Sequence, residues 1–125
     1  MSRKRVDPAQ ARAAVGEVLP WLRGEAEPPA RTVLAPAVRL SLRLLEQLAP
    51  GHTVEVRVPP FAAVQCIEGP RHTRGTPPNT VETDPRSWLL LVCGLLGWAE
   101  AMEQGAVRAS GHRADLSAEL PLLRF

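Results

Sequence analysis

The stretch HTVEVRV, residues 52–58, constrains the fold more than any other part of the chain. Val54, Val56 and Val58 fall on one side of an extended backbone, with Glu55 and Arg57 on the other. Period-two alternation of this kind predicts a strand with one buried face. Just before it, the period is that of a helix. In APAVRLSLRLLEQLAPG, Val38, Leu42, Leu45 and Ala49 share one side, and Leu44 and Leu48 widen it. Arg39 and Arg43 lie outward one turn apart, with Glu46 following Arg43, and Pro50-Gly51 ends the run. So broad an apolar face needs a sheet to pack on.

The remaining elements follow from punctuation. Pro59-Pro60 forces a turn or an edge, and FAAVQCI continues as a second, more apolar strand. NTVET, residues 79–83, predicts a third, and AVRAS, 106–110, a last one. Asp7-Pro8 and Asp84-Pro85 both pair a capping carboxylate with a proline suited to the first helical position. The first helix carries Val15, Val18, Leu19 and Leu22, and Pro20 should bend or end it. GEAEPPA, 24–30, has the composition of a linker. The helix after Asp84 carries Trp88, Leu89, Leu91 and Val92 up to Gly94, and a short helix around WAEAMEQ closes at Gly105. Asp115 is expected to cap a terminal helix bearing Leu116, Leu120 and Leu123, limited by Pro121. The predicted order is α–α–β–β–β–α–α–β–α, an α+β domain.

Several functions are argued against by what the chain lacks. A net charge of +2 is too small to argue for nucleic acid, and only five aromatic residues are available to stack on bases. The positive charge is almost wholly arginine, Lys4 being the one lysine, a bias that reads as genome composition rather than a partner. No run of about 18 apolar residues exists, so no integral membrane segment is expected. MSRKRVDPAQ has basic residues with no apolar stretch behind them, so it is not a secretory signal. Cys66 and Cys93 lie in apolar surroundings without CxxC spacing, which reads as buried thiols in a reducing cytoplasm, although a disulfide between them stays open. His52, His72 and His112 are scattered, so neither a metal nor another cofactor is expected. Ser110, His112 and Asp115 sit within six residues on one turn, where a catalytic triad cannot converge.

Two stretches carry the remaining chemistry. GPRHTRGTPPN, residues 69–79, gathers Arg71, His72, Arg74, Thr76 and Asn79 between two strands. These donors could collect around a carboxylate or phosphate. Equally, Gly75 and Pro77-Pro78 set turns, and the polar side chains satisfy backbone groups of a stiff connector. SWLLLVCGLLGWAEAM, residues 87–102, holds two tryptophans, a methionine and several leucines on a helix pair broken at glycines. Such a run either fills a core or leaves an apolar cavity over a sheet.

The order of motifs resembles a known family. VEVRVPPFAAVQC, then GPRHTRGTPPN, then VETDPRSWLLLVCGLLGWAEAMEQGAVRASGHRADLSAELPLL are similar to the actinobacterial branch of the sterol carrier protein family. The matching features are Val81-Glu82-Thr83-Asp84, Gly94, Ala101 to Gly105, Val107 to Ser110, Gly111 and Leu116 to Leu123, covering the chain from about residue 35 onward. The resemblance implies a small, mostly antiparallel sheet with helices on one face and a hydrophobic tunnel between them. It implies an N-terminal helix and linker at 1–30 and a sterol-carrier-like domain at 31–125. It further implies non-catalytic binding of a fatty acid, acyl-CoA or other lipid. Trp88, Leu89, Val92, Leu95, Leu96, Trp98, Met102, Leu116 and Leu120 would line or roof the space, and Arg71, His72, Arg74, Thr76 and Asn79 would form a polar rim. An arginine-rich rim suits an anionic headgroup or a thioester's phosphates better than a sterol hydroxyl. The alternative expectation is a protein-interaction module, or a homodimer, whose core is filled by its own side chains.

Overall fold

Val54, Val56 and Val58 are fully buried, while Glu55 and Arg57 between them are only partly covered. That strand lies inside a four-stranded sheet in the structure, a computed structural model that describes residues 5–69 and 79–125. The elements are α1 (Pro8–Leu22), α2 (Arg31–Leu48), β1 (Val54–Val58), β2 (Ala62–Cys66), β3 (Asn79–Thr83), α3 (Pro85–Cys93), α4 (Trp98–Glu103) and β4 (Val107–Ser110).

The strand order is β2-β1-β3-β4. Two pairings are antiparallel, β1 with β2 and β3 with β4, and the central β1–β3 pairing is parallel. The fold is therefore α+β with a mixed sheet, as the alternation of periods predicts. Cys66, Val54 and Asn79 stand side by side in the register, so β2 ends and β3 begins at the same end of the sheet, flanking the start of β1.

One face of the sheet is the core face. Val54, Val56, Val58, Val64, Cys66, Val81 and Val107 join the helices in a single buried cluster. The opposite face carries Glu55, Arg57, Glu82 and Arg108, with ion pairs Arg57–Glu55 and Arg108–Glu82. Arg108 stands directly across from Glu82 in the β3–β4 register, so that pair spans two strands.

Both aspartate caps form as their sequence signals require. Asp7 Oδ1 accepts from the Ala9 N–H at 2.9 Å, and Asp84 accepts from both the N–H and the hydroxyl of Ser87. Pro20 does not stop α1 at once, since the helix runs on to Leu22. The inner face of α1, formed by Ala11, Val15, Val18, Leu19 and Leu22, is buried in the common cluster. Upstream, the Gln47 side-chain amide clasps Val6, donating to its carbonyl and accepting from its N–H, each at 3.1 Å. α2 begins at Arg31, one turn before the predicted start, and contains Pro36.

The expected terminal helix does not form. Asp115 accepts from the Ser117 N–H at 2.8 Å in a local turn, and only one helical turn follows, closed by the Glu119 and Leu120 N–H groups on the Leu116 carbonyl. Pro121 has no N–H to continue it. Instead the Leu122 and Leu123 N–H groups both donate to the Val92 carbonyl at the end of α3, at 3.0 and 3.1 Å. The segment then reaches α1, where Arg12 donates to the Arg124 carbonyl and lies over the Phe125 ring. Residues 111–125 thus form a strap across the helical layer.

Candidate functional site

The apolar stretch that begins in α3 supplies the candidate binding region. Asp84 fixes where α3 starts, and Gly94, at φ +75°, turns the chain out of it. This phase directs Trp88, Leu89, Leu91 and Val92 inward. Trp88 is fully buried, and its indole N–H donates to Ser41 Oγ at 2.9 Å, while the Ser41 hydroxyl donates to the Val38 carbonyl at 3.0 Å. An indole N–H removed from water needs such a partner.

The residues expected to line a lipid space divide by position. Trp88, Leu89, Val92 and Leu116 are fully buried members of the core cluster. Leu96, Trp98 and Leu120 are half-buried and pack against that cluster from outside. Leu95 and Met102 are 46% and 40% exposed. The structure therefore places Trp88, Leu89, Val92 and Leu116 in the one buried cluster, with Leu96, Trp98 and Leu120 against it, and turns Leu95 and Met102 toward solvent.

Of the expected polar rim, Arg71, His72, Arg74 and Thr76 lie outside the described residues. Asn79 is buried, and both ends of its amide are engaged: Nδ2 donates to the Thr53 carbonyl at 3.0 Å, and Oδ1 accepts from the Arg113 N–H at 2.9 Å. Asn79 therefore ties the start of β3 to the approach to β1 and to the beginning of the strap. Beside it, a Cβ on Gly69 would stand 2.6 Å from Thr53 Oγ1. The residues flanking 70–78 are thus held by close contacts to one threonine. Sequence reasoning singled out Asn79 as a rim donor but not Thr53 or Ser41, because no spacing rule marks the partner of a buried amide or indole.

Two pockets among the described residues are polar and lie apart from the apolar set. One, of about 310 Å³, is bounded by Pro59, Glu82, Thr83, Asp84, Gly105 and Arg108 among others. The second, of about 280 Å³, is lined by Glu46, His52, Glu55, Ala63, Val64 and Gln65, and in it His52 Nδ1 meets Gln65 Oε1 at 2.8 Å. Among the described residues, no three His, Cys, Asp or Glu side chains are grouped to hold a metal ion. Asp115 is occupied by its turn, and the hydroxyl and N–H of Ser117 hold its carboxyl below the ordinary value.

Both cysteines are free thiols. Burial pushes Cys66 up to about 12, with the charges of Glu119 and Glu46 adding to the effect. Burial likewise raises Cys93 to about 11, partly offset by Arg23. Neither is a ready nucleophile at neutral pH, because the thiolate is the reactive form.

A family model described as "Bacterial SCP ortholog" matches residues 30–122, most of the chain. The chain belongs to this family of bacterial sterol carrier protein orthologs. The match starts at the residue preceding α2 and ends within the strap, so the sheet, α3 and α4 of this SCP ortholog all fall inside it, and α1 precedes it. Comparison with curated proteins gives no match. No helix among the described residues is long and apolar enough to cross a membrane.

Proposed function

We propose that this SCP ortholog is a non-catalytic cytoplasmic carrier that binds a fatty acid, acyl-CoA or related lipid in an apolar space beneath α3, α4 and the strap. Family membership over residues 30–122 is the observation that carries this reading. Further support comes from the apolar surface around α3, which grades from buried Trp88, Leu89 and Val92 through half-buried Leu96, Trp98 and Leu120 to exposed Leu95 and Met102. A ligand chain entering there would have an apolar route from solvent toward the core. Two free thiols fit a reducing compartment. Arg71 and Arg74, with His72 and Thr76, form the anionic-headgroup rim in this reading, and Asn79 holds its base.

A second reading, a protein-binding or self-associating module, is favoured by one observation. Trp88, Leu89, Val92 and Leu116 already fill the core at full burial. Native mass spectrometry of the purified protein separates the two. A lipid-sized added mass that leaves on activation supports the carrier. A bare protein that stays bare after incubation with fatty acids, acyl-CoA and sterols supports the interaction module. For the rim, Arg71→Ala with Arg74→Ala should weaken an acidic lipid more than a neutral one, and equal losses would reject the rim.

A further inference from the structure

α1 differs from the rest of the helical layer in how it is held. It precedes the family match, which begins at Ala30, and it packs chiefly on α2. Within it, Gly16 lies one turn before Pro20. Pro20 has no N–H for the Gly16 carbonyl and its ring crowds that carbonyl, so the helix is weakened at this turn. Residues 23–28, which lead from α1 toward α2, are all exposed, and Gly24 turns at φ +75° with open space around it. Side-chain ties fasten α1 near its ends. Gln47 clasps Val6 just ahead of it, and Arg12 reaches the Arg124 carbonyl and the Phe125 ring. Arg86 donates to the Leu22 carbonyl at 3.2 Å, with its guanidinium 5.6 Å from the centre of the Trp21 ring. Arg12 and Arg86 are both exposed.

Beneath α1, α2 carries a second apolar stripe. Val33, Ala37, Leu40 and Leu44 recur at helical spacing on the side that leads to Gln47, distinct from the fully buried row of Val38, Leu42 and Leu45. Ala37 and Leu44 are buried, and Val33 and Leu40 are half-buried. The clasp between Gln47 and Val6 sets α1 over this stripe, running back along α2. From Val33 to Leu44 the stripe is roughly 17 Å long, the reach of a long acyl chain.

We propose that α1 is a hinged cover, and that the groove it vacates on α2 receives the acyl chain of the ligand. This rests on the carrier reading above, and it locates room for a chain that the filled core around Trp88 does not offer. The segment 23–30 is the hinge. An acyl chain takes the place of Val15, Val18, Leu19 and Leu22 against the stripe, so apolar burial lost when the cover lifts is regained. Arg12 and Arg86 oppose binding in this scheme, because their contacts must be released before the groove is free.

The test combines hydrogen exchange of the full chain, read by mass spectrometry, with titration by oleate. Residues 8–22 should exchange through an opening that leaves α2 and β1 protected. Arg12→Gln and Arg86→Gln should each raise exchange across 8–22 about fivefold, from the loss of one hydrogen bond and one cation–ring contact. Apparent affinity scales with the open fraction, so each variant should tighten oleate binding by the same factor. That gain accompanies the loss of a positive charge, the opposite sign from simple attraction of the carboxylate. Bound oleate should also speed exchange in 8–22. A control, Arg108→Gln, removes a cation on the outer sheet face and should raise neither quantity. Exchange of 8–22 only in step with β1, or oleate binding that does not tighten in the two variants, rejects the cover and leaves the carrier reading standing. Failure of oleate to bind the native chain and both variants overturns the two together.

Discussion

The indole N–H of Trp88 donates to the hydroxyl of Ser41 at 2.9 Å, joining α3 to α2 inside a core from which both residues are wholly shielded from water. Ser41→Ala leaves that N–H buried without a partner and should cost about 1–3 kcal/mol. Trp88→Phe loses packing volume and the donor together. Because the double variant leaves no orphan donor, its loss should be smaller than the sum of the two single losses. Urea unfolding of the four proteins measures this coupling, and strict additivity would mean that the hydrogen bond contributes nothing.

Asn79 should behave as a structural clasp. Its amide bridges the Thr53 carbonyl and the Arg113 N–H, so Asn79→Ala should destabilise by about 2–3 kcal/mol through the buried groups it orphans. Asn79→Asp should be at least as harmful, since it sets a carboxylate oxygen against the Thr53 carbonyl. A change in lipid headgroup preference at unaltered stability would instead make Asn79 a ligand contact.

Gly51 is required by a close backbone approach. At φ +148° an added Cβ would stand 2.0 Å from the Ile67 carbonyl oxygen, a contact that only movement of the backbone could relieve. Ile67 is itself held at φ +68°, with its N–H on the Ala49 carbonyl and its carbonyl accepting from Thr53. Gly51→Ala should therefore cost at least about 3 kcal/mol. Gly24, also at positive φ but with open space around it, should lose only about 1–2 kcal/mol on the same change. Thermal unfolding of the two variants gives the comparison, and similar losses would show that conformation rather than contact sets the cost.

These sites show how far the chain can be read before its structure is seen. The alternation at Val54–Val58 and the Asp7-Pro8 and Asp84-Pro85 starts carry their own local physics, and the corresponding strand and helices form where the pattern places them. The start of α2 was hidden because Ala30 contributes no capping side chain, so nothing local marks Arg31 as the first residue. The terminal segment departs from its helical spacing for a tertiary reason. Leu116, Leu120 and Leu123 have helical spacing, yet the two N–H groups after Pro121 find the Val92 carbonyl, a partner remote in sequence. The candidate site is legible only in part. Trp88, Leu89 and Val92 have the helical spacing of one buried face of α3, but the turn at Gly94 that sends Leu95 outward depends on how the helices pack.

The two thiols give the protein a specific weakness to alkali. Cys66 is raised to about 12 and Cys93 to about 11, in both cases chiefly by burial, from an ordinary value of 9.0. Below that value, folded and unfolded chains both keep their thiol protons, so the stability linked to these groups is fully present. As pH rises above it, the unfolded chain ionises first and gains relative to the folded one. The contribution is therefore lost progressively until the folded-state values are passed. The chain has no tyrosine and a single lysine, so few other side chains titrate in this window. The melting temperature should accordingly fall between about pH 9 and 11, and Cys66→Ala, though less stable at neutral pH, should show a shallower fall. Identical slopes in the two proteins would assign the alkaline loss to another group. In the same range the alkylation rates should rank the thiols, with half-buried Cys93 reacting before Cys66 and both more slowly than in the unfolded chain.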